Sequence, residues 1–206
     1  QGYAVLEVDA KSGAGVKQFA PAVRALLADK LRAYEEKGQV GRVLRVMVLG
    51  IPNVGKSTFI NKVSGRKTAK AEDRPGVTRG KQWVPVDKTL ELLDTPGILW
   101  PKFEDQQVGL RLALIGAIKD EILNIDELAL ELIAILTEHY PGVLHTRYEV
   151  EEEQTPANII EQIAVKRNCI QKGNELDYTK AANLLLDEFR SGKLGKITLE
   201  FPVAVA

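Results

Sequence analysis

At 206 residues the chain is long enough for one large domain or two smaller ones, each with its own core. Its 28 basic and 28 acidic residues cancel, which excludes a globally basic nucleic-acid binder and leaves any such contact to local patches. The single cysteine, Cys169, excludes an internal disulfide and a cysteine-based zinc site and fits a reducing compartment. No run approaches the about 18 apolar residues of a membrane helix and no secretory signal is visible, so no membrane association is expected. The chain opens on Gln1 and its first residues already read as a strand, so this N-terminus is expected not to be the natural one.

Residues 3–8 read as that strand, and Asp9 to Gly15 as a loop. Between residues 16 and 37, Val16, Phe19, Ala20, Val23, Leu26, Leu27, Leu31 and Tyr34 fall at helical spacing and predict one long amphipathic helix. Pro21 falls near its first turn, where proline is tolerated. Residues 43–49 are β-branched and apolar, as in a buried parallel strand.

That strand runs into Gly50-Ile51-Pro52-Asn53-Val54-Gly55-Lys56-Ser57, with Thr58 next, which meets the phosphate-loop pattern G-x-x-x-x-G-K-[ST] at every specified position. Residues 57–63 can continue as a helix. Glycines at both ends of such a loop let backbone N–H groups converge into a nest, and the helix N-terminus adds positive charge. Lys56 is placed to reach β- and γ-phosphates and the Ser57 hydroxyl to ligate Mg²⁺. The pattern implies binding of a nucleoside triphosphate.

The next stretch, 64–81, has little periodicity and carries Arg66, Lys67, Lys70, Arg74, Arg79 and Lys81 against only Glu72 and Asp73. Its centre, Arg74-Pro75-Gly76-Val77-Thr78, is a turn that delivers a threonine. Two short strands follow, 82–86 and 90–93, the second ending in Asp94-Thr95-Pro96-Gly97. An Asp-x-x-Gly at a strand's carboxyl end, downstream of a phosphate loop, is the arrangement of GTP-binding proteins. Asp94 can then hold Mg²⁺ through water, Thr78 complete its shell, and the Gly97 N–H approach the γ-phosphate unobstructed.

Beyond Phe103 the pattern is helical: 104–123, then 126–139 with Asp126 as cap and Leu128, Ala129, Leu132, Ile133 and Leu136 as buried stripe. Glu149 and Glu151-Glu152-Glu153 read as a solvated linker. Thr155-Pro156 opens a helix carrying Ile159, Ile160, Ile163 and Ala164, and Asp177 caps a last one with Ala181, Leu185 and Phe189 inward.

A GTP-binding domain of ordinary order continues past Asp-x-x-Gly with further strands and an Asn-Lys-x-Asp motif for guanine. Neither follows residue 97, and Asn61-Lys62-Val63-Ser64 lacks the aspartate. Asp9-Ala10-Lys11 instead resembles the Ser-Ala-Lys loop that closes over guanine and normally comes last. The economical reading is a permuted order, with the Asn-Lys-x-Asp strands upstream of Gln1. The fold class expected is therefore α/β: a three-layer P-loop NTPase sheet in a circularly permuted, N-terminally incomplete GTPase domain (1–103), followed by an all-α domain (104–206).

Residues 51–57, Asp73-Arg74-Pro75-Gly76-Val77-Thr78, the run from Leu93 to Phe103, Gly109-Leu110-Arg111-Leu112-Ala113 and Gly116-Ala117-Ile118-Lys119-Asp120 together resemble the circularly permuted ribosome-biogenesis GTPase A family, a likeness that extends more weakly to the chain end. The resemblance implies a cytoplasmic bacterial protein, or an organellar relative, that assists late assembly of the large ribosomal subunit. It implies GTP hydrolysis on that subunit, contact with ribosomal RNA through the helical domain, and a monomer off the ribosome. On the family's pattern Asp9, Ala10, Lys11, Asn53, Val54, Gly55, Lys56, Ser57, Thr58 and Gly97 bind nucleotide; Lys56, Thr78 and Gly97 serve catalysis; and Ser57, Thr78 and Asp94 hold Mg²⁺. Asn53, in proteins resembling this one, is associated with K⁺ beside the phosphates; the alternative is that it only shapes the loop by local hydrogen bonds. Asp9 departs from the usual Ser or Asn, so its backbone role alone carries over.

Ile98 stands where many GTPases have a water-positioning glutamine, so the chain alone is expected to hydrolyse GTP slowly and to depend on another part of the chain, the ribosome or a cation. His139 and His145 read as surface residues rather than substitutes. The basic residues of 64–81, with Lys166, Arg167, Lys172, Lys180, Arg190, Lys193 and Lys196, are candidates for RNA backbone contact; Glu161, Glu175, Asp177, Asp187, Glu188 and Glu200 nearly balance the second set. Two alternatives stand beside the assembly GTPase. One is a binding module in which nucleotide only switches RNA affinity. The other is a P-loop ATPase or small-molecule kinase, which the Asp-Thr-Pro-Gly spacing and the basic threonine loop fit less well.

Overall fold

The computed structural model describes residues 3–65, 82–99 and 105–201. Thr78, the basic residues of 66–81, and residues 103 and 104 lie outside the described residues. Internal contacts divide the chain into two compact units, Gln1–Trp100 and Pro101–Ala206.

The first unit is built on a three-stranded sheet in the order β1-β3-β2, with β1 Leu44–Val48, β2 Gln82–Asp87 and β3 Leu90–Asp94. β1 and β3 run parallel in register from Leu44↔Leu90 to Val48↔Asp94. β2 and β3 form an antiparallel pair whose register shifts between Pro85 and Asp87. The parallel pairing needs a crossover, and α3 (Lys56–Ser64) supplies its helix. Ile60 of α3, Val84 and Leu92 are fully buried together, with Phe19, Val46, Val48, Phe59, Val63 and Val86 packed around them. Gly65, left-handed at φ 65°, ends α3.

Two readings of the leading segment are corrected. Residues 3–8 form no strand, and Tyr3 and Val5 are almost wholly exposed. A strand is stabilised by a neighbour's ladder and by a buried face, and among the described residues this segment has neither. The single long helix is three pieces: a 3₁₀ turn Val16–Gln18, α1 Phe19–Leu26 and α2 Ala28–Glu36, bent at Leu27. Hydrogen bonds from Leu27 N to Val23 O and from Leu31 N to Leu27 O carry the chain across the bend. Of the expected stripe Val16 is buried, whereas α1 and α2 have no fully buried residue. Arg24 ties α1 to the sheet by an ion pair to Asp87 and a hydrogen bond to Thr89.

The second unit is helical: α4 Gln106–Leu114, α5 Ile125–His139, α6 Val143–Tyr148, α7 Pro156–Lys166 and α8 Tyr178–Arg190. α5 is central, with Leu132, Ile133 and Leu136 fully buried against apolar side chains of α7 and α8 such as Ile159, Ile163 and Leu185. The helix expected over 104–123 stops at Leu114, because Gly116 turns left-handed at φ 73° and leaves only a short 3₁₀ turn, Asp120–Ile122. Asn124, not Asp126, caps α5, accepting from Glu127 N at 3.3 Å. Thr155 and Asp177 cap α7 and α8 as their sequence positions predict. The stretch 149–153 is no simple linker. Val150 is buried, and the Glu152 carboxylate accepts from Gly142 N and His145 N, capping α6 from beyond its far end.

Candidate nucleotide site

The parallel register sets Val48 beside Asp94, so the loops leaving β1 and β3 emerge at the same edge. This is the carboxyl end of a parallel pair, where α/β folds bind ligands. The first loop turns through Asn53 (φ 59°) and Gly55 (φ 88°), both left-handed, and enters α3 at Lys56. Such consecutive turns let backbone N–H groups converge on one point, at the positive end of a helix. Val54 is half exposed, whereas Asn53, Gly55, Lys56, Ser57 and Thr58 are partly buried.

Hydrogen bonds between described residues tie the two loops together. Thr95 Oγ1 donates to Val48 O at 2.7 Å, Ile98 N to Gly50 O at 3.4 Å, and Ser57 Oγ to Asp94 Oδ2 at 3.1 Å. Gly97 passes directly over Pro52: a Cβ there would lie 2.4 Å from Pro52 Cα and 2.5 Å from Pro52 N. Only glycine permits that approach. Lys56 folds back to donate from Nζ to Ile51 O at 2.7 Å, across the mouth of the loop.

Asp94 is 1% exposed, and its Oδ1 is buried with no hydrogen-bond partner among the described residues. Burial raises the Asp94 carboxyl above its usual range, against the lowering effect of Ser57, Lys56 and the Thr95 backbone N–H. Burial likewise lowers the Lys56 ammonium, against the raising effect of Asp94. Each charge is thus poorly compensated by the protein, and the arrangement suits a ligand that brings both an anion to Lys56 and a cation to Asp94.

Asp9, Ala10 and Lys11 lie in a separate loop. Asp9 Oδ1 accepts from Lys11 N at 2.8 Å and Ser12 N at 3.2 Å, and Oδ2 accepts from Ser12 Oγ at 2.7 Å. These bonds hold the Asp9 carboxyl below its usual range. Its side chain therefore shapes the loop. Ile98 is 68% exposed and carries no polar group to orient water. His139 lies against Phe201 at 5.2 Å and His145 Nδ1 lies 3.0 Å from Val150 O, both within the helical unit.

Among the basic candidates, Arg190 is committed internally: it donates to Ala113 O and Leu114 O and forms a two-point ion pair with Asp120. Arg167 donates to Arg147 O and lies over the Tyr148 ring. Residue-by-residue reading of the sequence missed Arg147, which clamps Glu188, because neither helix marks the pair locally.

A phosphate loop on β1, an Asp-x-x-Gly on the adjacent parallel β3 and a crossover helix between them define a P-loop nucleotide-binding domain of the GTPase type. The family described as "50S ribosome-binding GTPase" matches residues 45–169, more than half of the chain. Ribosome biogenesis GTPase A of Bacillus cereus is 47% identical over 205 residues, 98% of this chain and 69% of that protein. Two solved structures of YlqF from T. maritima, one described as GDP-bound and one as GNP-bound, are each 27% identical, with TM-scores of 0.57 and 0.52. They match 83% and 82% of this chain, which spans 66% and 64% of theirs. The chain belongs to the ribosome biogenesis GTPase A family.

Proposed function

We infer that this chain binds and hydrolyses GTP as a factor in assembly of the large ribosomal subunit, in the cytoplasm, and that nucleotide state switches its hold on the subunit. The observation that carries the nucleotide reading is the buried Asp94 Oδ1 beside Ser57 and Lys56, which has no hydrogen-bond partner among the described residues. An orphaned carboxylate oxygen is costly unless a ligand satisfies it. Ser57 and Asp94 fit Mg²⁺, Ser57 directly and Asp94 through water, with Thr78 as the third contributor. Bound Mg²⁺ would neutralise charge on the β- and γ-phosphates. Lys56 would leave Ile51 O for the phosphates, and the Gly97 N–H would face the γ-phosphate. The Asn53 side-chain oxygen is a neutral donor suited to K⁺.

With Ile98 in place of a water-positioning side chain, hydrolysis is slow until a partner supplies that group. The helical unit, through exposed cations such as Lys193 (58% exposed), is the RNA-contacting part, and the protein is monomeric off the subunit.

The test is phosphate release from GTP with and without large subunits, in KCl and in NaCl at equal ionic strength. Stimulation by the subunit, larger in KCl, is the expected result. Tight subunit binding without stimulation favours the nucleotide-switched binding module, and equal rates in the two salts remove K⁺ from the reading. Displacement of a fluorescent GTP analogue by GTP but not ATP separates it from an ATPase.

A further inference from the structure

The loop between Asp9 and Gly15 is closed on itself. Besides the bonds to the Asp9 carboxylate, Asp9 N donates to Ala14 O, Gly13 N to Asp9 O and Ala14 N to Ser12 Oγ. A closed loop keeps its shape but does not thereby fix its position relative to anything else. Position comes from α3. Lys62 Nζ, in the last turn of that helix, donates to Lys11 O at 3.3 Å.

The neighbouring glycine is fitted to this lysine: a Cβ on Gly13 (φ +90°) would lie 2.5 Å from Lys62 Cε and 3.3 Å from Nζ. The chain that follows the loop is fastened to the same helix by Phe19, whose ring meets Phe59 edge-on at 5.2 Å and 89°. Thus α3 carries Lys56 in the phosphate loop at one end, and about 9 Å further along its axis it carries the tie to the Asp9 loop. A rigid helix spans the two parts that a nucleotide must bridge.

We propose that Lys62 is a positioning residue for nucleotide binding, holding the Lys11 carbonyl so that the Asp9 loop stands at the right distance from the phosphate loop to receive the base. The inference rests on the reading of Asp9-Ala10-Lys11 as the loop over the base. Lys62 lies in the last turn of α3, at the end away from the phosphate loop, and its hydrogen bond goes to the Asp9 loop, through which it would act. It therefore affects ligands that contact both ends of α3 and not those that contact only the phosphate end.

The experiment compares GDP with inorganic tripolyphosphate, which lacks base and ribose, by calorimetric titration of the chain in Mg²⁺. The variants are Lys62→Met, Lys62→Arg and Gly13→Ala. Removing one solvent-accessible hydrogen bond predicts that Lys62→Met weakens GDP about three- to tenfold. Tripolyphosphate affinity should stay unchanged and Lys62→Arg should recover most of the loss. Gly13→Ala, which both crowds Lys62 and strains a left-handed residue of the loop, should weaken GDP at least as much as Lys62→Met and leave tripolyphosphate unchanged. Unchanged GDP affinity in Lys62→Met, or an equal loss for both ligands, overturns the proposal. If the unmodified chain binds GDP no more tightly than tripolyphosphate, the base-loop reading itself fails and takes the proposal with it. That outcome is visible before any variant is made.

Discussion

Asp94 is the residue on which the nucleotide site turns. It is buried, one oxygen receives the Ser57 hydroxyl, and the other has no partner among the described residues. Replacing it by Asn keeps the shape and a carbonyl acceptor for Ser57 but removes the charge that would hold a hydrated cation. Asp94→Asn is therefore expected to weaken the Mg²⁺-dependent part of GDP affinity about 10–100-fold while leaving affinity in EDTA unchanged, measured by titration in each condition. This much was legible in the sequence, because phosphate loop and Asp-x-x-Gly are local patterns whose spacing states their geometry. The tight crossing of Gly97 over Pro52 was not: the pattern reserves a glycine for ligand approach, whereas here a Cβ at Gly97 would also collide with the Pro52 backbone. Asp9 shows the reverse case. Its departure from Ser or Asn is absorbed by a turn in which both carboxylate oxygens are used locally.

At the scale of elements, the buried Glu188 on α8 joins elements distant in sequence. Its carboxylate accepts from Arg147 Nε at 2.8 Å and, through a second bond, from Arg147 Nη2; it also accepts from Tyr148 OH at 2.8 Å, and Lys193 lies 3.6 Å away. The Arg147 hydrogen bonds, with Tyr148, hold its carboxyl down to about 2, against the opposing effect of burial; burial and the carboxylate push the Tyr148 phenol up. A carboxyl lowered on folding adds stability above its unfolded value and loses it as pH falls through the folded one. The stability difference between the unmodified chain and Glu188→Gln, from urea unfolding, should be on the order of 2–3 kcal/mol at neutral pH. It should shrink between about pH 4.5 and about pH 2. Nothing local in the sequence distinguishes Glu188 from the solvated acids around it; its role exists only once α6 and α8 pack. The Glu152 cap of α6 was hidden for the same reason, since its partners lie ten and seven residues before it. Elements with local start signals, such as α7 behind Thr155-Pro156, fall where their sequences place them.

On the scale of the whole molecule, the chain consists of a sheet unit that carries the nucleotide machinery and a helical unit that carries most of the buried core. Their fold classes were legible from pattern, the sheet by its β-branched run and the bundle by its apolar stripes, but β1 is not the buried strand expected: Arg45 and Met47 are exposed, Met47 by 55%. What periodicity overstated was the leading segment, where a strand-like run lies exposed. Strand formation is a property of a pair, and sequence reports only one member of it.

β1 is that principle seen in a formed element, since among the described residues it pairs with β3 alone. Leu44 N donates to Thr89 O at 2.7 Å, and the alternation of a parallel ladder turns the next amides, at Arg45 and Met47, away from β3. Amide hydrogens along this one strand should therefore exchange with solvent deuterium at two rates, slowly at Val46 and Val48 and much faster at Arg45 and Met47. Resolved by nuclear magnetic resonance, that alternation would act as a built-in gauge. Any strand that came to lie along the outer edge of β1, at the base of the phosphate loop, would slow the two fast amides and leave their neighbours as they were.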